Sequence, residues 1–368
     1  MSLLRVPFLE AVEDATGGNP KLQTGDYQSV GRFPIVDQGQ EFIAGYTDDE
    51  GVLCNRTGDV IVFGDHTKAF KFINFDFVLG ADGVKVLRPK SGFDARYLFH
   101  YLQTVRLPEN LGYSRHFKYL KECVVPKPSL EEQKRIAAIL DKADSLRRKR
   151  QQAIRLSDDF LRAIFLDMFG DPVTNPKGWP VKDLRSVVTK ITDGTHKSPP
   201  MATSGIPYVT AKHIKKEGVR FDLAPTYISE SDHREIFSRC DPGLGDVLYI
   251  KDGATTGIAC QNNMLGEFSL LSSVALIRPC QNWLSSEYLV ELLNNDKFKA
   301  ALIGDMAGAA IKRFTLAKIG NFKLPIPSVE QQGEFSKIAE KIKTLQIKLR
   351  EEMKEAQALF LALQSQSF

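Results

Sequence analysis

The chain has 368 residues, 43% hydrophobic and 26% charged, so it can bury ordinary cores and should divide into two or more domains. No apolar run reaches the roughly 18 residues that a membrane-spanning helix needs, and acidic residues follow the start too closely for a signal peptide, which indicates a cytoplasmic protein. The net charge of +4 is too small to predict a polyanionic partner by itself, so a nucleic-acid surface would have to be a local patch.

The first domain is predicted over residues 1–128. Short β-branched and aromatic runs, VIVF at 60–63 and FKFINFDFVL at 70–79, alternate with Gly, Asp and Asn turn signals. The stretch DARYLFHYLQT from Asp94 has a helical pattern instead. This mixture predicts an α/β (α+β) domain with long loops, and loops on a rigid scaffold are where recognition residues usually lie.

A long helix is predicted over residues 129–170. Ser129 and Glu132 form a capping-box pattern at its start, and the prolines at 126 and 128 hold the preceding chain extended. Apolar residues then recur along one line and favour pairing with another helix. They are Ile136, Leu140, Ala143, Ile154, Leu161 and Ile164.

A second domain of the same class is predicted over 171–326, and a second long helix over 327–368. Ser328 and Gln331 repeat the capping pattern of the first helix. A heptad seam follows, formed by Ile338, Ile342, Leu345, Leu349, Leu359 and Leu363. Two helices of roughly 57 Å, at 1.5 Å per residue, are expected to pair as an antiparallel coiled coil, because a parallel pair would place both domains at one end.

The order of elements in the second half repeats that of the first. FPIV at 33–36 matches IPYV at 206–209, GDVIVF at 58–63 matches GDVLYI at 245–250, and VLRP at 86–89 matches LIRP at 276–279. The phrase PSLEEQ at 128–133 returns as PSVEQQ at 327–332. A period near 190 residues is too long for a solenoid, so the chain is a tandem duplication with expected pseudo-twofold symmetry and two equivalent binding modules.

The two helix starts identify a family. The chain resembles the DNA specificity subunits of type I restriction-modification systems. The resemblance rests on the two helix starts, VPKPSLEEQKRIAAIL and LPIPSVEQQGEFSKI, and on the stretches NPKGWPVKDL and ITDGTHKSPP at the start of the second domain. The resemblance implies a non-catalytic protein whose two target recognition domains each read one half of a bipartite, asymmetric double-stranded DNA sequence. It also implies that the helices set the spacer and dock modification (methyltransferase) subunits, expected to be two, which carry S-adenosylmethionine, and that restriction subunits can join them.

An enzymatic site is not evident in the sequence. KSPPMA at 197–202 has Met201 where an amino-methyltransferase would need an aromatic ring, and the histidines and five cysteines show no metal-ligand spacing. No cofactor or metal is therefore expected in this chain. Two alternatives stay open at this point: a coiled-coil adaptor that binds only protein, and a self-contained DNA methyltransferase.

Polar and basic loop residues are the candidates for DNA contacts, because bases and phosphates are bound by Arg, Lys, His, Asn, Gln, Ser and Thr. In the second domain these are Thr195, His196, Lys197, Ser198, Lys212, His213, Lys251, Thr255, Thr256, Lys312 and Arg313. In the first domain they are Arg32, Gln38, Gln40, Lys68, Arg115, His116 and Lys118.

Overall fold

The protein divides into two compact units. The structure is a computed structural model that describes residues 4–81, 83–108, 115–304 and 313–368. The first unit comprises Met1–Gln151 with Glu351–Phe368, and the second comprises Gln152–Arg350. Within the described residues no helix is long and apolar enough to cross a membrane. All five cysteines are free thiols, and Cys54, Cys240 and Cys260 are buried.

The first unit is built on a four-stranded sheet with a smaller sheet beside it. Its elements are β1 (Arg5–Pro7), α1 (Phe8–Ala11), β2 (Val12–Asp14), β3 (Phe33–Val36), β4 (Gly45–Thr47), β5 (Val60–Gly64), β6 (Phe70–Ile73), β7 (Val78–Leu79), β8 (Val84–Pro89), α2 (Ala95–Leu102), α3 (Phe117–Leu120), β9 (Val124–Pro126) and the start of α4 (Leu130–Phe169). The sheet orders are β2-β8-β5-β6, β4-β3-β7 and β1-β9.

The second unit repeats this plan with additions. It contains the end of α4, then β10 (Val181–Asp183), β11 (Val188–Asp193), β12 (Ile206–Val209), β13 (Ile214–Lys215), β14 (Gly218–Val219), β15 (Tyr227–Ile228), α5 (Glu230–Phe237), β16 (Val247–Ile250), β17 (Ala259–Gln261), β18 (Ser269–Leu270), β19 (Val274–Pro279), α6 (Ser286–Asn294), α7 (Asp296–Gly304), α8 (Leu316–Gly320), β20 (Lys323–Pro325) and most of α9 (Val329–Ser367). Its sheet orders are β11-β19-β16-β17, β15-β12-β18, β10-β20 and β13-β14. The β13-β14 hairpin and α5 have no counterpart among the described residues of the first unit.

The duplication predicted from the sequence is confirmed, but the strand register differs from the sequence match at one strand. The sequence matches Val60 with Val247. In the structure Ile61 pairs with Leu87 and Val247 pairs with Ile277. Since Leu87 and Ile277 are equivalent residues of VLRP and LIRP, Val247 corresponds to Ile61, one residue further on. Side chains alternate between the two faces of a strand, so this single step exchanges the faces.

In the first unit α4 and α9 run antiparallel. Leu140 of α4 and Phe360 of α9 pack in the same apolar cluster, whereas Arg150, further along α4, lies 3.3 Å from the carboxylate of Glu352, which is earlier in α9. Residue numbers therefore rise along one helix as they fall along the other. The apolar end of α9 closes the core below α2.

The second unit shows the same helix direction. The ring centroids of Phe165 and Phe335 are 5.7 Å apart, and Gln346 Nε2 donates to Asp158 Oδ1 at 2.8 Å. Again the later residue of α4 meets the earlier residue of α9. The predicted antiparallel pairing is confirmed within each unit.

The contact line on α9 differs from the predicted heptad seam. Leu345 and Leu359, two residues of the predicted seam, are 50% and 58% exposed, so the helix pair does not bury them. The most buried line in the second unit consists of Phe335, Ala339, Ile342 and Gln346. The helix is rotated because Phe335, the largest apolar side chain of that turn, packs against Phe165, Phe169 and the sheet-side core. Gln346 occupies a buried position since its amide bonds Ser157 and Asp158.

The other residues predicted for helix pairing vary in burial. Ile136, Leu140, Ile154, Leu161 and Ile342 are buried, and Ala143, Ile164, Ile338, Leu349 and Leu363 are partly buried. Ile164 and Ile338 pack on the core of the second unit, and Leu363 packs on the core of the first.

The repeated phrase locks each long helix to its own domain through its last glutamine. The Gln133 amide is fully buried, accepts from Asp94 N at 2.9 Å, and donates to Gly92 O and Pro128 O at 2.9 and 3.0 Å. Gln332 makes the equivalent bonds with Ser285 N, Trp283 O and Pro327 O. Each glutamine thus joins the first turn of a long helix to the start of α2 or α6.

The serines of the phrase cap the helices as predicted, but neither Glu132 nor Gln331 completes a capping box by accepting from the backbone N–H of its serine; the Gln331 Oε1 accepts from the Ser328 hydroxyl at 3.0 Å. Ser129 Oγ accepts from Glu132 N at 3.2 Å, and Ser328 Oγ accepts from Gln331 N at 3.3 Å. The Glu132 carboxylate instead accepts two bonds from Arg135. A charge-assisted pair with a guanidinium is stronger than a bond to a backbone amide, which explains the difference.

Candidate nucleic-acid interface

The loop after β11 is organised by one buried carboxylate. Asp193 ends β11 and is 1% exposed. Its Oδ2 lies 3.2 Å from Lys251 Nζ and 3.4 Å from His196 Nε2, and its Oδ1 lies 3.6 Å from Arg239 Nη1. Three basic groups from three segments therefore converge on a single acid, which leaves the local charge positive.

The next residue allows the loop to approach the smaller sheet closely. A Cβ at Gly194 would lie only 1.7 Å from Leu270 O, so any side chain there is excluded. Thr195 N donates to Leu270 O, and Ser272 N donates to Thr195 O, both at 2.9 Å. The backbone is therefore held on both sides at this point.

The following residues of the same loop face solvent. Lys197 N donates to Thr195 Oγ1 at 3.2 Å, and this hydroxyl donates to Lys197 O at 2.8 Å. The resulting turn leaves His196, Lys197 and Ser198 exposed, with Thr195 half-buried beneath them. These four predicted residues lie together as one short basic and hydroxyl-bearing segment.

A second loop, between β16 and β17, meets this segment through Lys251. The Lys251 backbone accepts from Phe314 N at 2.8 Å and donates to Ser273 O at 2.9 Å. The next residue, Asp252, lies 3.5 Å from Arg313 Nε, and Arg313 is 55% exposed. Thr255 is exposed on the same loop. Predicted residues from positions 195–198, 251–256 and 313 are thereby brought into one neighbourhood, while Lys312 lies outside the described residues.

Lys251 and Thr256 are corrections to the predicted DNA contacts of this neighbourhood. Lys251 is 2% exposed, and its ammonium is used by Asp193. Thr256 is also buried and donates its hydroxyl to Gly253 O at 2.7 Å. Both side chains support loops from beneath and cannot reach a duplex as placed.

His213 is a further correction. The ring is fully buried; Nδ1 accepts from Thr210 N at 3.0 Å, and Nε2 lies 2.8 Å from Ala224 O. A ring that accepts at one nitrogen and donates at the other is neutral, and burial lowers the pKa of His213. The residue thus orders its turn, whereas neighbouring Lys212 is exposed.

In the first unit several predicted residues gather at the turn between β5 and β6. Thr67 Oγ1 donates to Gln38 O, and Gln40 Nε2 lies 3.5 Å from Thr67 O. Lys68, with a left-handed φ of 59°, donates from Nζ to Pro108 O at 2.7 Å. Gln40 is the most exposed of these, and the Lys68 ammonium is engaged with the backbone.

The remaining predicted residues of the first unit separate by exposure. Arg32 is exposed, lies 4.8 Å over the Phe33 ring, and pairs with Glu50 at 3.3 Å. Arg115 and Lys118 are exposed beside α3. His116 is 5% exposed, so its prediction as a DNA contact is corrected: its backbone N–H bonds Asp65 O and holds α3 beside β5.

Sequence reasoning missed the buried ion pairs beneath these loops. Besides Asp193 with Lys251, the first unit contains Lys71, 4% exposed, whose Nζ donates to Asp37 O at 2.9 Å and lies 3.6 Å from Asp37 Oδ1. Arg239 was also missed. The only available signal was the DGTH stretch, which marks Asp193 as the last residue of a strand, because a partner 58 residues away leaves no local pattern.

The described residues contain no group of three or more His, Cys, Asp or Glu side chains placed to hold a metal ion. The geometry instead offers exposed Lys, Arg, His, Ser and Thr on loops fixed by buried pairs. Such groups bind phosphates and base edges.

Comparison with known proteins identifies the family. The model of the type I restriction modification DNA specificity domain matches residues 12–156 and 176–357. The specificity subunit of the type I restriction enzyme EcoR124I/EcoR124II of Escherichia coli is 22% identical over 339 residues, 87% of this chain and 81% of that protein. The MjaIX specificity subunit of Methanocaldococcus jannaschii is 28% identical over 160 residues, 36% of this chain and 37% of that protein.

A solved structure shows the same fold. The crystal structure of the type I restriction-modification S subunit from M. genitalium superposes with a TM-score of 0.66 at 13% identity, covering 100% of this chain and 96% of that one. The family match covers both copies of the duplicated domain. This chain therefore belongs to the type I restriction-modification DNA specificity family, and its role is DNA recognition within such a system, not catalysis.

Proposed function

We propose that each of the two domains reads one half of a bipartite, asymmetric target in double-stranded DNA. The observation that carries this proposal is that the same sheets are built twice with different loops on them. The second unit presents His196, Lys197 and Ser198 after β11, whereas the first presents Gln40 after β3, with the predicted contact Gln38 partly buried beside it. Different side chains on equal scaffolds fit two different half-sites. The two recognition domains of this proposal span residues 1–128 and 171–326.

The exposed candidates, together with the half-buried Thr195 and Lys68, are the residues expected to touch DNA. In the second domain they are Thr195, His196, Lys197, Ser198, Lys212, Thr255 and Arg313. In the first they are Arg32, Gln40, Lys68, Arg115 and Lys118. The lysines and arginines would contact phosphates or guanine, and the amide, hydroxyl and imidazole groups would read base edges.

The long helices, 129–170 and 327–368, set the spacing between the two domains. They also dock two modification subunits, and the complex acts in the cytoplasm. A coupled helix pair suits this role because Gln133 and Gln332 leave little freedom between helix and domain. Apolar side chains such as Ile139 and Leu146 remain exposed beside the pair and offer contact area to a partner. The modification subunits supply S-adenosylmethionine and the methyl transfer, and restriction subunits join the same assembly.

Methylation mapping tests the proposal. The chain is co-expressed with its modification subunit in a methylation-free host, and modified adenines are located across the genome. A split motif with a fixed gap is expected, and His196→Ala with Lys197→Ala should relax one half while the other half stays specified. An unsplit motif, or no methylation with the modification subunit present, would contradict it.

A further inference from the structure

The buried Asp193 carboxylate contacts several basic side chains at the base of the loop that follows β11. Asp193 approaches Lys251, Arg239 and His196, which belong to three separate segments, yet no hydrogen bond of the described residues reaches its Oδ1. Burying an ion pair gains little stability, because desolvation offsets the attraction, and a well-packed apolar pair is often as stable. A buried carboxylate instead restricts the positions of the basic side chains that contact it.

Arg239 is the partner that links this anchor to the surface. Its Nη2 donates to Gly194 O at 2.6 Å, and the side chain is still 52% exposed. A guanidinium has five N–H donors, so the others remain available on the outer side. Since Gly194 immediately precedes the exposed Thr195 to Ser198 segment, Arg239 lies beside the predicted DNA contacts.

Resting on the proposed function, we propose that Asp193 is the positioning residue of the second domain's recognition loop and that Arg239 is a further DNA contact. The Asp193 carboxylate attracts the His196 ring and the Arg239 guanidinium at 3.4 and 3.6 Å, and Arg239 holds the loop backbone through its hydrogen bond to Gly194 O. The arginine then presents a preorganised fork to a phosphate or a guanine edge, as planar bidentate recognition requires.

Two variants separate positioning from simple support of the fold. Asp193→Asn leaves Lys251 buried without its acid, so this variant can lose stability for that reason alone. The double variant Asp193→Asn, Lys251→Met removes the buried charge pair together, and we expect it to keep the wild-type unfolding midpoint. If Asp193 positions the loop, the double variant still binds the mapped target at least tenfold more weakly and methylates a motif relaxed in one half only.

Arg239→Ala tests the DNA contact, with Arg234→Ala as the matched control because Arg234 is exposed on the adjacent helix α5 and pairs with Glu230. All variants are full-length chains assembled with the modification subunit. For a phosphate contact, Arg239→Ala should reduce the slope of log affinity against log salt by about one, and for a base contact it should relax one position of one half-site. Arg234→Ala should change neither.

A wild-type complex without a split motif overturns the proposed function itself. Given a wild-type split motif, full affinity and an unchanged motif in the double variant overturn the positioning role, because Asp193 would then only neutralise Lys251. An Arg239→Ala complex that keeps both the salt slope and the motif overturns the arginine contact.

Discussion

The two glutamines that end the repeated phrases are the most informative single residues. Each buried amide satisfies one backbone N–H and two carbonyl groups at the junction of a long helix with its domain. Loss of the amide therefore leaves one N–H and two carbonyl groups of a buried site without these protein partners.

Replacing Gln332 by alanine should therefore destabilise the second unit. Leaving buried donors and acceptors unsatisfied costs about 1 to 3 kcal/mol each, and we expect a total of about 3 kcal/mol in urea unfolding. Glu330→Ala, two residues earlier and exposed, is the control and should stay within about 0.5 kcal/mol of wild type. Equal midpoints for the two variants would show that the amide does not hold the junction.

His213 predicts a pH dependence of stability. Burial lowers its folded-state pKa below the ordinary 6.5, so at low pH the unfolded chain binds more protons than the folded one. The stabilisation is fully present above pH 6.5 and is lost as the pH falls through the folded pKa. Urea midpoints at pH 7.5 and 5.5 should differ less in His213→Gln than in wild type, and an equal difference in the two proteins would contradict the prediction.

Residue roles were predictable where they depend on neighbours in sequence and failed where they depend on distant partners. The serine caps follow from a three-residue spacing and are present. The burial of Lys251 and His213 could not be predicted, because a polar residue in a loop sequence gives no sign of an acid or carbonyl elsewhere in the fold that will satisfy it.

At the scale of elements, the rotated face of α9 has a direct energetic consequence. Phe335→Ala should cost about 3 to 5 kcal/mol because it empties a fully buried aromatic site between Phe165 and Phe169. Leu345→Ala, at a position of the predicted seam that is half exposed, should cost about 0.5 kcal/mol or less. Chemical denaturation of the two variants measures the difference in unfolding free energy. A larger loss for Leu345→Ala than for Phe335→Ala would favour the predicted heptad seam instead.

The existence and type of the elements were largely predictable, and the register was not. Long amphipathic helices bounded by prolines and capping serines carry strong signals. Strand β5 shows the opposite case: Val60, Ile61, Val62 and Phe63 are all fully buried, so no alternation of polar and apolar residues marks which face each occupies. A sequence alignment of the two copies can therefore be shifted by one residue in this strand without any visible mismatch.

For the molecule as a whole, the end of α9 contributes to the core of the first unit. Phe360, Leu363 and Phe368 pack there, and Arg5 donates to Phe368 O at 2.8 Å. A chain ending at Arg350 should lose stability in the first unit only, because the second unit ends at that residue. Differential calorimetry should show one transition lowered and the other unchanged.

The matched control for this truncation is Leu361→Ala, which alters an exposed residue of the same segment. It should leave both transitions in place. Equal lowering of both transitions in the truncated chain would contradict the assignment of residues 351–368 to the first unit.

The family and the duplicated architecture were predictable at this scale because they rest on repeated phrases that span the chain. The composition of the candidate interface was predictable only as a set of loops. Which members of each loop face solvent depends on ion pairs between residues distant in sequence. These pairs are the buried Asp193 with Lys251 in the second unit and the partly buried Asp37 with the buried Lys71 in the first.

The one-residue difference in strand register also sets a rule for building chimeras. Recognition loops exchanged between the units must be joined so that Ile61 replaces Val247, since these residues share a position relative to Leu87 and Ile277. A graft joined at the letter match, Val60 to Val247, would turn each transplanted side chain to the opposite face of the sheet. Such a protein would misfold for reasons unrelated to DNA. Its failure to direct methylation would then be mistaken for a loss of specificity.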